Sequence, residues 1–221
     1  MAVPRPAPRP APPAPPAVPS ARGVRALCAG AALALLAVAA GCALYRAPAR
    51  AVQYYDVRAE VAGGCGRALP HALQVARFVM AGPYRAPMVY RKSAHRLDRD
   101  PDNRWIDAPE ELLTREFLRA FATSGCFAQV LPDAAPLAAG YRLTGIVLTL
   151  ECDPQLNADV ALSVRLDSVG GAPEVAFEKT YAEKARLEGN NAEAFADAAA
   201  DAVSTILRHA IQDVAAAASA P

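Results

Sequence analysis

A run of uncharged, mostly small apolar residues from Ala26 to Leu44 interrupts the chain near its start and contains Ala39-Ala40-Gly41-Cys42. It decides which residues can belong to a folded domain at all. Arg22 and Arg25 precede or open it, so the stretch has the positive lead, apolar centre and small-residue cut site of a secretory signal. A cysteine directly after the cut is the residue that the bacterial lipoprotein pathway acylates on sulfur, which makes Cys42 the predicted lipidation site, carrying diacylglyceride and palmitate. Ala39 stands where such signals prefer Leu, a departure from the usual pattern. The competing reading is a membrane span, since about 20 apolar residues suffice to cross a bilayer. Much of this run is alanine, however, and its transfer energy is marginal for a permanent span.

Cleavage before Cys42 removes 41 of the 221 residues and leaves chain enough for one domain with a proper core. Arg5, Arg9, Arg22 and Arg25 all lie ahead of the cut with no acid among them, so a net charge of +1 becomes −3 in the mature part. A protein that grips a phosphate backbone needs a basic excess, and nucleic acid is therefore not an expected partner.

The chain divides accordingly. Residues 1–23 form a Pro/Ala-rich leader in which the first 20 residues hold nine of the 20 prolines, a composition that builds no core. Translation starting near Val24 would leave this leader out. Residues 24–41 are the signal, 42–51 a lipidated tether containing Pro48, 52–213 the folded domain, and 214–221 an Ala-rich tail expected to fray. Ala43 follows the lipidated residue, where an aspartate would favour retention in the inner membrane; its absence points to the periplasmic face of the outer membrane.

Cys28 leaves with the signal and Cys42 takes lipid, so Cys65, Cys126 and Cys152 remain in a compartment that permits disulfides. Two of the three can pair, in any of three combinations, or all can be buried thiols. None stands at a short C-x-x-C interval, which argues against a zinc knuckle, and no cofactor or metal is expected.

Within the domain, Val52 to Val57 is rich in β-formers and leads into a Gly-rich loop around Gly63-Gly64 that lacks the Lys-Ser/Thr of a phosphate cradle. Ala72 to Met80 reads as one strand with Leu73, Val75 and Val79 on one side, and Met88–Arg91 with His95–Asp98 as a short hairpin. Asp107 and Glu110 have the spacing of a capping box, with Pro109 in the first turn of a helix whose Leu113, Phe117 and Phe121 form an apolar stripe and which ends at Gly125. Gln129–Leu131 is a short strand. Tyr141–Cys152 looks apolar on both faces through Ile146, Val147 and Leu148, as a central strand does. Ala158 to Leu166 alternates with polar residues, and Gly170-Gly171 turns the chain into Glu174–Lys184. A closing helix starts near Asn190, with Glu193 as its capping partner and Phe195, Ala199, Ala202, Ile206 and Ala210 inward. The expected fold is α+β: an antiparallel sheet with two helices packed on it.

Enzyme chemistry has little to stand on. His71, His95 and His209 occur singly, and H-E-x-x-H, G-x-S-x-G and P-loop patterns are absent. Ser93 and His95 could share a strand face, but no third group orients them, so the expectation is a non-catalytic protein.

The order of signal cysteine, paired tyrosines, Val-Tyr-Arg strand, Asn-Arg-Trp ahead of a Pro-Glu helix start, and Ser124-Gly125-Cys126-Phe127 after it resembles the ABC-type transport auxiliary lipoproteins, the group that includes paraquat-inducible protein C. The likeness spans Cys42 to Ala210 and is anchored on Tyr90, Arg91, Asn103, Arg104, Trp105 and Pro109; the extra cysteines depart from the pattern. Each anchor residue can contact a partner or serve the local fold, Arg104 by pairing with Asp98, Asp100 or Asp102. The resemblance implies an accessory role beside an inner-membrane ABC transporter and a periplasmic mammalian-cell-entry-type protein, with lipid as cargo and a homo-oligomer compatible with ring-forming relatives. The alternatives are a structural envelope lipoprotein, and a periplasmic lipid carrier that would need an apolar cavity between helix and sheet.

Overall fold

The computed structural model describes residues 50–62, 64–135, 139–170 and 174–219, so the signal and Cys42 lie outside the described residues, as does Gly171 of the expected turn. The chain runs through β1 (Gln53–Tyr55), β2 (Leu69–Val75), β3 (Val79–Met80), β4 (Pro87–Ser93), β5 (Arg96–Trp105), α1 (Pro109–Ser124), β6 (Phe127–Pro132), β7 (Tyr141–Cys152), β8 (Asn157–Ser168), β9 (Glu174–Arg186) and α2 (Ala192–Ala218). Among the described residues, no helix is long and apolar enough to cross a membrane.

The α+β expectation holds, with a sheet that is mixed. β7, β8 and β9 form the antiparallel meander, and β4 and β5 the hairpin. Parallel pairings join them: β7 takes β8 along one side and, along the other, β2 near Tyr141, β3 near Ile146 and β4 at Cys152. β6 lies parallel to β2, and β1 parallel to β5 at the far side. Apolar alternation states which face of a strand is buried; it carries no information on the direction of the neighbour.

Both helices cover one face of this open sheet and share one apolar cluster with it. Leu113, Phe117 and Phe121 of α1 are fully buried as their spacing predicts, with the Phe117 ring 4.8 Å from that of Phe78 and tilted against it. Phe78 leaves no room for a side chain at Gly145, where a Cβ would stand 2.5 Å from its ring. The expected strand over Ala72–Met80 breaks at this point. Phe78 turns inward between β2 and β3, and Val79, expected beside Leu73 and Val75, is exposed. Ile146 of β7 is exposed too, because β7 is central in its pairing but covered on one face only.

The ends of the helices differ from expectation by a residue or more. Pro109 disfavours helical backbone at the residue before it, so Ala108 is extended (φ −62°, ψ 139°) and becomes the N-cap of α1. Asp107 then falls outside the helix and bonds Arg115 at 2.8 Å, and the capping box with Glu110 does not form. Gly125 does end the helix, in the left-handed conformation (φ 65°). For α2 the N-cap is Asn191, whose Oδ1 accepts from the Ala194 N–H at 2.8 Å. The helix continues past Val214 to Ala218, with Val214 buried and the Tyr141 hydroxyl donating to the Ala218 carbonyl at 3.0 Å.

Candidate partner-binding groove

Where β5 pairs with β1 on one side and β4 on the other, the inward-facing side chains meet the start of α2 and leave a groove of about 740 Å³. Its walls come from β1 (Gln53, Tyr55), β4 (Tyr90, Lys92), β5 (Asp100, Asn103) and the α2 cap at Asn191. Tyr90 forms an aromatic wall, half-buried against Phe195 at 5.6 Å, with the Lys92 ammonium 5.4 Å from its ring centre. Burial, reinforced by the charge of Asp100, pushes the Tyr90 hydroxyl up to about 12, so it remains a neutral donor and acceptor. Burial alone would raise the Asp100 carboxyl. The Asn103 side-chain amide (3.0 Å) and the backbone N–H groups of Asp102 and Asn103 (2.9 Å each) outweigh that and hold it below the usual range. At the rim Arg50 pairs with Asp102 at 3.1 Å. The groove therefore offers both charges, amides and an aromatic surface, a set suited to a polar protein segment. Among the described residues, no cluster of three His, Cys, Asp or Glu could hold a metal ion.

Of the six family-motif residues, the fold brings two, Tyr90 and Asn103, into this groove. Arg91, next to Tyr90 on an extended strand, points the other way and grips buried Glu151 through Nε and Nη2 (2.9 Å to Oε2), while the Tyr84 hydroxyl donates to the same carboxylate at 2.8 Å. Burial, and then that bond, pushes the Tyr84 hydroxyl up to about 12. Trp105 is buried 5.4 Å from Phe195, and Pro109 is buried in the first turn of α1. Arg104 pairs with none of the three expected aspartates: Asp98 bonds Arg96, Asp100 bonds Asn103 and Asp102 bonds Arg50, which leaves the Arg104 Nε buried without a partner. Gln53, Lys92, Asp100 and Asn191 were not singled out for this site by sequence. The period-two alternation of Tyr90 with Lys92 was the available signal for one of them.

Among the described residues the cysteines resolve into one disulfide, Cys65–Cys126, with Cys152 a buried thiol whose proton burial helps retain. The bridge ties the Gly-rich loop to the end of α1, alongside the hydrogen bonds from Cys65 N–H to Ser124 O (3.2 Å) and from Leu69 N–H to Cys126 O (2.8 Å).

The sequence model of the ABC-type transport auxiliary lipoprotein component matches residues 68–211, nearly all of the domain. The chain belongs to that family. Its members are lipoprotein components of ABC-type transport by description, which gives this protein an envelope-associated, auxiliary place. Protein XCC0632 from Xanthomonas campestris is similar in structure at TM-score 0.67 and 19% identity, covering 75% of this chain and 96% of its own. An uncharacterized protein is similar at TM-score 0.60 and 10% identity, covering 74% and 99%. At these identities the likeness is one of fold. The PelC dodecamer from Paraburkholderia phytofirmans is more remote, at TM-score 0.42, 14% identity and coverage of 66% and 91%. No curated protein gives a significant match to the chain.

Proposed function

We propose that this ABC-type transport auxiliary lipoprotein is held by acyl chains on Cys42 at the periplasmic face of the outer membrane. There it docks a periplasmic mammalian-cell-entry-type protein that moves lipid to or from an inner-membrane ABC transporter. The family match across residues 68–211, behind an expected export signal that ends just before Cys42, is the observation that carries this reading. Ala43 supports the outer membrane over the inner. The groove supports docking over lipid carriage, because its lining of Arg50, Lys92, Asp100 and Asn103 suits a polar protein surface and not acyl chains. The role is non-catalytic: the domain supplies a site and a location, and energy for transport comes from the transporter.

The test is made on the full chain in cells. A photo-crosslinking residue replaces Lys92 in the groove, and labelled palmitate is supplied during growth. The expected result is label on the wild-type protein, none on Cys42→Ala, and capture of a mammalian-cell-entry-type protein that weakens when the anchor is lost. Label that enters Cys42→Ala equally well would remove the anchor, and capture of no transport component from a correctly anchored protein would remove the docking role.

A further inference from the structure

The sheet face opposite the groove, at the same β1–β5 edge, carries a second feature. β1 and β5 run in register with Tyr54 beside Arg104 and Tyr55 beside Trp105, so alternation sends Tyr55 and Trp105 inward and Tyr54 and Arg104 outward. The Ile106 N–H continues the ladder to the Tyr55 carbonyl at 2.7 Å. Ile106 is 50% exposed, Tyr54 58% and Val52 38%, an apolar and aromatic group on the face that the partly exposed Arg104 shares. Nothing in the groove or in the core uses it.

The surrounding chain says what covers it. Val52 is the point at which the tether enters the domain, ten positions after Cys42. Even fully extended, that tether keeps Val52 within about 33–36 Å of the acylated sulfur. Between them the tether carries Arg46 and no acidic residue, a charge complementary to anionic headgroups, while Arg50 is taken up by Asp102 at the groove rim. A tyrosine, an isoleucine and a valine interleaved with arginine form the mixed surface that settles at a headgroup boundary, where the ring and aliphatic carbons leave water and the guanidinium stays at the phosphates. Val175, exposed at another edge of the sheet, lacks this placement. It pairs with Asp167 at the Tyr141 end of the sheet, whereas β4, and β5 beyond it, join β7 at Cys152, the opposite end.

We infer that the outer face of the β1–β5 edge, Val52, Tyr54, Arg104 and Ile106, lies on the phospholipid headgroup layer of the bilayer that holds the Cys42 acyl chains. The inference rests on the anchored reading above. Its consequence is orientation: acyl chains alone leave a domain free to tumble on its tether, and this contact turns the groove, on the other face of the same edge, away from the lipid.

The test uses the acylated full protein reconstituted into phosphatidylethanolamine–phosphatidylglycerol vesicles with and without brominated acyl chains. The single native tryptophan, Trp105, is buried and supplies a constant background. Tyr54→Trp and, independently, Ile106→Trp place an indole on the face; Val175→Trp places one at the remote end. Emission from the first two variants is expected to shift to the blue and to lose intensity in brominated vesicles, with Val175→Trp unchanged. Flotation with the vesicles and detection of the acyl chains are read on the same samples. Protein that floats while all three variants stay unquenched, or are quenched equally, overturns this inference alone. Indoles shielded from aqueous acrylamide but untouched by brominated lipid would give the face to a second copy or another protein, and would also overturn it. Protein that carries no acyl chain and does not float overturns the anchored reading, and the inference with it.

Discussion

Glu151 shows what Arg91 is for. The carboxylate is only 2% exposed, and a charge so placed is tolerable only when paired and hydrogen-bonded, as it is here by the Arg91 guanidinium and the Tyr84 hydroxyl. Arg91→Ala leaves the carboxylate with Tyr84 alone. We expect it to lower the free energy of unfolding in urea by about 3 kcal/mol, the low end for a buried pair because Arg91 is partly exposed; a loss below about 1 kcal/mol would contradict the assignment. Asp153 makes the matching argument in pH. Burial pushes its carboxyl up, but the Asn157 amide and backbone N–H, Lys184 at 3.0 Å and the Gln155 N–H together hold it down to about 2. A pKa below the usual 3.8 means the folded state favours the carboxylate, so this stabilisation is fully present above about pH 4 and is lost as pH falls towards 2. Over that interval the wild-type protein is expected to lose about 2 kcal/mol more than Asp153→Asn, which has nothing to titrate. Denaturant titrations of both at several pH values give the comparison.

Among the elements, the two helix starts form a natural experiment. Both carry a side chain of capping type near the first turn, but only Asn191 accepts a backbone N–H. Asn191→Ala is expected to cost about 1 kcal/mol. Asp107→Ala removes an ion pair with a partly exposed Arg115 and no cap, and should cost under about 1 kcal/mol. Equal losses in chemical denaturation would mean that Asp107 caps after all. The contrast also marks how far local pattern reaches. Both helices, their buried stripes and the Gly125 stop are legible because they depend on spacing within one element. The exact cap of α1 turned on a single backbone restriction, that of the residue before Pro109. Strand partners were not legible: nothing local in Gln53–Tyr55 says that it lies parallel to Asn103–Trp105.

For the molecule as a whole, the Cys65–Cys126 disulfide joins positions 61 residues apart and closes around β2 to β5 and α1. Restricting a loop of that size in the unfolded chain is worth about 2–4 kcal/mol, and thermal unfolding with and without reductant, alongside the Cys65→Ser/Cys126→Ser double variant, should show that loss. A double variant as stable as the wild type would show the bridge to be absent or incidental. The same scale relates the groove to the proposed membrane face. The β1–β5 edge presents Tyr55 and Asn103 to the groove and Tyr54 and Arg104 to the other face, so one pair of strands serves two surfaces by alternation alone.

What the linear chain determined by itself is whatever depends on neighbours in sequence: the apolar stripes of both helices, the glycine stop of α1 and the alternation of β8. Tertiary structure alone decided which cysteines pair, that the sheet is mixed, that Arg91 serves the interior, and that Tyr90 and Asn103 share a groove with Lys92 and Asp100. The physical reason is that periodicity carries the direction in which a side chain points, whereas a site and a disulfide need the distance between elements, which only their packing sets.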